Sequence, residues 1–527
     1  MHQALLVEEI QLPIFNQILE NKTLYALART CQTFAETALD VLWCDLDCFP
    51  RLIQCMPKDL WMSELKEEER SLVITLRRPI SSADWVIFQK YSRRVRSVLG
   101  PNQYSFGNPL WRIDDALLFA LCAPSVPSPL LPNLTSLVWR VGSDAHLNAL
   151  HRLFPSSLAS LNLLFRSERE FGQVSFDLNS AIQFPFNQVF PSLKSLAVDA
   201  EHGITPSLLE GLQPSISQLQ NLGKIHWPHL RSETVMSLAQ LPALTQATFK
   251  FPSDFSQYIG TLPPSSSMQN PAFSKLRMLM TKYVTPAAVL SFLGYFALDL
   301  DFISVVLCGS PSPSQIGDFF SSIASSPSRN IRSLQISDSL QRITEQNRTE
   351  YQPLTKYKFV PLLQLKELQH FRVNLQCSII LNDADLLEMA EAWPNIITLW
   401  LDGHPHPGSH VNPGPYALVA LLDRCPKLSA LSIEVDFSTI DRADFDPLSI
   451  ADSFDSRHTR NGRELRDLRF GPYNIAYPDA IAKFLACFVP DQARIDMNWP
   501  WTLESEPDIH VERWNLAKQI FNSIRST

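Results

Sequence analysis

The sequence predicts an α/β chain: a short all-helical module at the N-terminus, followed by an irregular stack of strand-plus-helix repeats that share a parallel sheet. Three observations lead there. Apolar residues in the first fifty positions recur at spacings of three and four, the period of amphipathic helices. From Leu134 onward a short phrase returns at intervals: apolar, two residues, apolar, one residue, apolar. The third observation is length. At 527 residues the chain outgrows a single compact core, which stops growing at roughly 250–300 residues, whereas a stack of repeats grows in one dimension.

The helical module comes first. Leu5, Leu6 and Ile10 open an apolar set, and Ile14, Phe15, Ile18 and Leu19 continue it as one stripe. Glu20-Asn21-Lys22 interrupts the pattern. Thr23 is expected to cap a second helix, in which Leu24, Leu27, Ala28 and Cys31 share a face. Thr33 is expected to cap a third, with Phe34, Ala38, Leu39, Leu42 and Trp43 as its apolar positions. A domain of about forty residues is marginal alone. It cannot bury this many large apolar groups internally, so the surplus needs a partner surface, either the rest of the chain or another protein.

The segment LLVEEIQLPIFNQILENKTLYALARTCQTFAETALDVLWCDL resembles an F-box. The likeness rests on Leu5, Leu6 and Glu9-Ile10, on Ile14-Phe15, on Leu24, Leu27, Ala28 and Cys31, on Phe34 three residues later, and on the closing Leu42-Trp43 and Leu46. The opening MHQALLVEEI is similar to F-box proteins abundant in mushroom-forming fungi. One departure lies in the opening turn, where the family often has a proline and this chain has Val7 and Glu8. The resemblance implies docking on a Skp-type adaptor and, through it, a cullin–RING ubiquitin ligase. The contacts it implies are Leu5, Leu6, Ile10, Ile14, Phe15, Leu24, Leu27, Cys31, Phe34, Leu42 and Trp43. The plainer alternative is that these helices only cap the repeat stack.

The repeated phrase starts at Leu134, Leu193, Ile331, Leu368, Ile396, Leu428 and Leu465, with weaker copies at Leu158, Leu222, Leu244, Leu276 and Leu300. Steps between starts vary from 22 to 37 residues. Its last two apolar positions alternate as a strand does, both pointing inward. A proline two residues before the phrase, as at Pro132, Pro191, Pro242, Pro394 and Pro426, suits the turn that ends the preceding segment. Helix-like stretches intervene at Pro286–Leu298, Ile380–Trp393 and Tyr416–Cys425. A strand plus a helix is too small to bury its own apolar face, and stacking such units makes one continuous core. This resembles a degenerate leucine-rich repeat, with a step longer than usual and the consensus Asn/Cys largely absent. An ordinary α/β fold with similarly spaced strands is the alternative. No glycine-rich phosphate loop accompanies any strand, which counts against a nucleotide-binding version of it.

The expected organisation is a helical module over 1–48, a connecting segment over 49–130 and the repeats over 131–527. In the connecting segment, Leu72–Leu76 reads as a strand, Tyr91–Leu99 as a poor copy of the phrase through Val95 and Val98, and Ser63–Arg70 as a charged helix. Pro and Ser cluster at Ala123–Pro132, Phe251–Pro271 and Gly309–Ser328, which read as loops.

A net charge of −8 carries no broad basic field, so nucleic acid is not an expected partner. Nine scattered cysteines form no disulfide framework and fit a reducing compartment. Neither a secretory signal nor a membrane span is legible, so an intracellular location, cytoplasmic or nuclear, is expected. His404, His406 and His410 read as an exposed loop, and Cys44, Cys48 and Cys55 as packing, rather than as metal ligands. Arg77-Arg78 and Arg93-Arg94-Arg96 read as a solvated face. Asp299 and Asp301 flank strand residues, and a repeat strand accounts for them more simply than paired carboxylates do. No nucleophile stands in a recognisable hydrolase context. The expected function is therefore a non-catalytic adaptor with no cofactor, presenting an unknown protein substrate. The runner-up is a repeat scaffold without ubiquitin-ligase involvement, and the third reading is an enzyme on an unrelated α/β fold.

Overall fold

Strand geometry follows the sequence phrase closely. In the computed structural model, each of the twelve phrases is followed by a strand that begins two residues after the first apolar position: Leu134 precedes Ser136–Arg140, Ile331 precedes Ser333–Asp338, and Leu465 precedes Asp467–Phe470. The structure describes the chain except residues 1–6, 19, 67–70, 101–109, 125, 127, 167–183, 203–208, 210–211, 213, 231, 253–254, 261–271, 297, 310, 326–329, 339–352, 404–411, 447–463, 471–474, 491, 497–508 and 527.

The chain divides into two units, residues 1–229 with 233–245, and residues 230–232 with 246–527. In the first unit the strands Asp45–Leu46, Ser97–Val98, Ser136–Arg140, Ser160–Arg166, Ser195–His202 and Lys224–Trp227 lie side by side in this order, all parallel. In the second unit nine parallel strands run from Gln246–Phe249 to Arg494–Asp496, again in chain order. Sequential parallel neighbours joined by helical crossovers make each unit an α/β repeat stack.

The phrase works because its three apolar positions all turn inward. Leu193, Leu196 and Val198 are fully buried, as are Leu368, Phe371 and Val373. The copy at Leu276 puts Thr281 in the third position, where its buried hydroxyl has no partner. A backbone ladder keeps the irregular repeats in register. The carbonyl just after the first apolar residue accepts two N–H groups from the next repeat: Thr135 from Ala159 and Ser160, Arg332 from Gln369 and His370, Ile397 from Ser429 and Ala430. Main chain thus satisfies the polar groups at the strand entrance without a consensus asparagine.

Helices cover the other side of the sheet. Pro286–Tyr295 and Asp383–Ala392 lie within the helix-like stretches read from sequence, and Pro415–Arg424 begins one residue before the third. Buried aromatics fill the space between them and the sheet, as where Phe292 packs against Phe251, Phe273 and Phe296 at centroid distances of 5.2, 5.7 and 5.0 Å. The C-terminal helix Ile509–Ser526 closes the second unit. It buries Trp514 against Phe470 and Phe437, and Arg525 donates to the Ala493 carbonyl at 3.2 Å.

Several expectations need correction, among them the loop over Phe251–Pro271, where Phe255–Ile259 is an α-helix. Ser63–Arg70 is not a charged helix: Trp61–Lys66 is a strand, paired antiparallel with Ser71–Leu76, and cross-strand pairing overrides the helical preference of its charged residues. The Ser/Pro-rich segment Gly309–Ser328 is not all loop. Pro313–Ser325 is a helix whose Ile316, Phe319, Phe320 and Ile323 form a buried stripe, with Ser312 and Gln315 capping its start reciprocally. Thr23 and Thr33 do not cap their helices, which begin earlier. Finally, the arginines at 77–78 and 93–96 are not simply solvated: Arg78 pairs with Asp59 and Asp84, and Arg94 is buried.

Candidate functional site

The N-terminal module consists of three helices, α1 (Glu8–Phe15), α2 (Asn21–Thr30) and α3 (Gln32–Cys44). Glu8 and Glu9 in the first turn of α1 complement its dipole. Pro13 lacks a donor and keeps the helix short. Phe15 and Leu24 are buried with Ala38 at the centre. Ile18, Leu27, Ala28, Phe34, Val41 and Leu42 pack around them, partly covered. Phe34 meets Phe15 edge to face at 5.6 Å.

The orientation of α1 is the informative feature. Its inner side carries Phe15 and the polar Gln11, whose buried Oε1 accepts a 2.7 Å hydrogen bond from Thr37 Oγ1. Its apolar Ile10 and Ile14 point outward, 41% and 46% exposed, with Val7 and Leu12 also exposed. Tyr25 on α2 is exposed too. It borders a cleft of about 430 Å³ shared with Leu42 and Trp43.

The contacts implied by the resemblance therefore fall into groups. Ile10 and Ile14 are on the surface. Phe15 and Leu24 form the core, and Leu27, Phe34 and Leu42 lean against it. Cys31 is half-buried at the start of α3, and Trp43 packs at a tilt against Tyr91, ring centroids 4.7 Å apart. Leu5 and Leu6 lie outside the described residues, as do His404, His406 and His410. Leu12 and Tyr25 were not singled out from the sequence, and Val7 only as a departure in the opening turn, because an apolar residue facing away from a helical core reads the same as one facing inward.

The end of α3 is joined to the sheet of the first unit. Asp45–Leu46 pairs with Ser97–Val98, Arg96 N–H donates to the Cys44 carbonyl, and Leu99 N–H donates to that of Leu46, each at 2.8 Å. The Arg94 side chain, 3% exposed, donates to the carboxylates of Glu36 and Asp40 and, at 3.2 Å, to the Glu36 carbonyl. Its hydrogen bond holds the Glu36 carboxyl below its ordinary range. Nearby, burial pushes the Cys48 thiol up to about 11 and that of Cys55 up to about 12, so both stay protonated.

A second feature lies on the side of the second unit's sheet that faces away from the helices. There, register places Ser304, Gln335, Arg372, Trp400, Ser432, Arg469 and Asp496 in one row. The Arg372 and Arg469 guanidiniums stand 4.2 and 4.8 Å from the Trp400 ring centre. Beside them Asp402 accepts a hydrogen bond from Ser432, and Glu434 accepts one from Asn412 at 3.4 Å. Burial raises both carboxyls, that of Glu434 to about 7. The sequence does hold the signal for this row. It is the variable position between the last two apolar residues of each phrase, visible once the phrases are aligned.

Among the described residues no group of three or more His, Cys, Asp or Glu side chains is placed to hold a metal ion, and no helix is long and apolar enough to cross a membrane. No protein family and no curated protein matches the chain. Among solved structures, it is similar to an internalin (inlF) from Listeria monocytogenes str. 4b F2365, with 10% identity, a TM-score of 0.33, and coverage of 82% of this chain and 89% of that one.

Proposed function

We propose that this chain is a non-catalytic adaptor: the N-terminal helices dock a Skp-type adaptor of a cullin–RING ubiquitin ligase, and the repeats present a protein substrate. One observation carries the reading. A helix whose sequence resembles an F-box turns Val7, Ile10 and Ile14 outward, at spacings of three and four, while a polar Gln11 is buried behind it. Exposed apolar stripes of this kind mark interaction surfaces. The joint at Arg94, Trp43 and Asp45–Leu46 suits the same role, because an adaptor must hold its two partners at a set spacing.

Co-elution of the full chain with a purified Skp-type adaptor tests the reading. Wild type is expected to co-elute, and Ile10→Asp with Ile14→Asp is expected to abolish the complex while leaving the thermal midpoint nearly unchanged. Phe15 is unsuitable as a probe because its loss would disturb the module's own core. If wild type fails to bind, or if the double variant binds as well, the ligase reading is wrong and the runner-up stands: an interaction scaffold without a ligase role. The departure from the family at Val7 and Glu8 favours that second reading.

A further inference from the structure

We propose that the strand Trp61–Lys66 is a self-association edge, on which a second copy of this chain pairs antiparallel through the same strand. The inference uses none of the residues of the adaptor reading and stands whether or not the N-terminal helices dock an adaptor.

Backbone geometry defines the edge. Trp61–Lys66 is the outer strand of a three-stranded sheet and pairs on one side with Ser71–Leu76. The same register sets Leu60 opposite Arg77, whose N–H donates to the Leu60 carbonyl at 2.8 Å. Bonded and non-bonded pairs alternate along an antiparallel ladder. Met62, Glu64 and Lys66 therefore turn their N–H and C=O groups toward Ser71–Leu76. Trp61, Ser63 and Leu65 turn theirs the other way, where no strand lies among the described residues. A row of outward donors and acceptors is a template for another strand. The strands that open the first unit's stack and end the second's, Asp45–Leu46 and Arg494–Asp496, have only two and three residues, and short strands blunt an edge. Trp61–Lys66 has six, and it carries Met62 and Leu65, 39% and 52% exposed.

The sequence of the strand selects its own copy as the occupant. A two-fold axis normal to the sheet keeps every residue on its own face, and the outward groups belong to Trp61, Ser63 and Leu65, so bonded pairs join these three. With Ser63 on the axis, Trp61 lies opposite the second copy's Leu65, and Leu65 opposite its Trp61. Every outward N–H and C=O of both strands is then bonded, and an aromatic–aliphatic pair forms on each side of the axis. Met62 lies opposite Glu64, so no like charges meet. Moving the axis to Glu64 sets two carboxylates against each other and leaves Trp61 without Leu65. Moving it to Met62 also separates Trp61 from Leu65. The strand is therefore self-complementary in one register. Its aromatic group is already in place, because Trp61 Nε1–H donates to the Met56 carbonyl at 3.3 Å. So short an interface makes the dimer weak and reversible.

The test is sedimentation velocity of the full chain from about 1 to 100 µM, a range suited to small, reversible interfaces. The mean sedimentation coefficient should rise with concentration toward that of a dimer. Ser63→Pro removes an N–H that the sheet itself does not use. It should keep the thermal midpoint near that of wild type and weaken association about tenfold or more. Leu65→Lys sets a charge opposite Trp61 and should weaken association comparably. On oxidation Ser63→Cys should give a covalent dimer that wild type does not, since bonded pairs hold their Cα atoms about 5.5 Å apart, within disulfide reach. Leu65→Cys should give none, because its two copies stand about four residues apart along the ladder. Ile10→Asp with Ile14→Asp should associate as wild type does. A chain that stays monomeric throughout the range overturns the proposal. So does association that survives both Ser63→Pro and Leu65→Lys, or that is lost with Ile10→Asp and Ile14→Asp. Covalent dimers from Leu65→Cys with none from Ser63→Cys overturn the antiparallel pairing about Ser63.

Discussion

The helical module and the repeats use apolar residues in opposite ways. In each repeat the phrase hides its three inward positions, from Leu134, Leu137 and Trp139 to Leu465, Leu468 and Phe470. In the module three residues, Phe15, Leu24 and Ala38, make the buried centre, while Val7, Ile10, Leu12, Ile14 and Tyr25 stay exposed. Each repeat gains a neighbour above and below, so its apolar side is covered by the chain itself. Three short helices have no such neighbour on their outer side. The difference is one of self-sufficiency: among the described residues the repeats cover their inner side, whereas the module leaves Val7, Ile10, Leu12, Ile14 and Tyr25 exposed.

The comparison can be broken most directly inside a repeat. Leu431→Ala removes a fully buried side chain from the middle of a phrase and is expected to cost about 2–5 kcal/mol, read as a lowered midpoint in urea or heat. A loss under about 1 kcal/mol would mean that the repeats are no better packed than the module. A smaller effect is expected at the joint. Arg94→Ala leaves Glu36 and Asp40 without their buried cation, but both carboxylates reach water, so the cost is nearer about 1–2 kcal/mol than that of a fully buried pair. Limited proteolysis should then cut first between α3 and Ser97, and hydrogen exchange should quicken in α3 while the repeats of the second unit keep their protection.

The smallest effect sharpens the contrast between the two sides of the sheet. The inner side carries almost no titratable group, but Glu434 on the other side has its carboxyl raised to about 7 by burial. A carboxyl raised in the folded state stabilises the fold fully below its unfolded value, about 4.5, and that contribution is lost as pH rises through about 7. Wild type should therefore lose a few degrees of thermal midpoint between about pH 5 and 8, and Glu434→Gln should flatten the slope over that window. An unchanged slope would place the titrating group elsewhere, with Asp338, raised to about 6, the next candidate.

Much of this architecture was legible in the sequence because it is local and periodic. A phrase with inward positions at fixed spacing specifies a strand, and all twelve phrases are followed by strands at the same offset. The helices Pro286–Tyr295, Asp383–Ala392 and Pro415–Arg424 show the same legibility, each starting at a proline or a capped turn. Where reading failed, pairing partners decided. Trp61–Lys66 is a strand because Ser71–Leu76 lies beside it. The serines of Pro313–Ser325 resemble a loop until their apolar companions find a core.

The candidate site divides along the same line. The sequence by itself determined that helices fill most of residues 8–44, that this segment holds more apolar residues than it buries, and that the repeat strands pair in parallel. Those properties follow from spacing along one chain. Only the tertiary structure decided that Gln11 turns inward to Thr37 while Ile10 and Ile14 turn outward, that Arg94 sits between Glu36 and Asp40, and that Arg372 and Arg469 meet over one indole. The contacts among these join residues 26 to 69 positions apart, brought together by packing and register, and no periodicity along the chain encodes which of two similar faces a neighbour will cover.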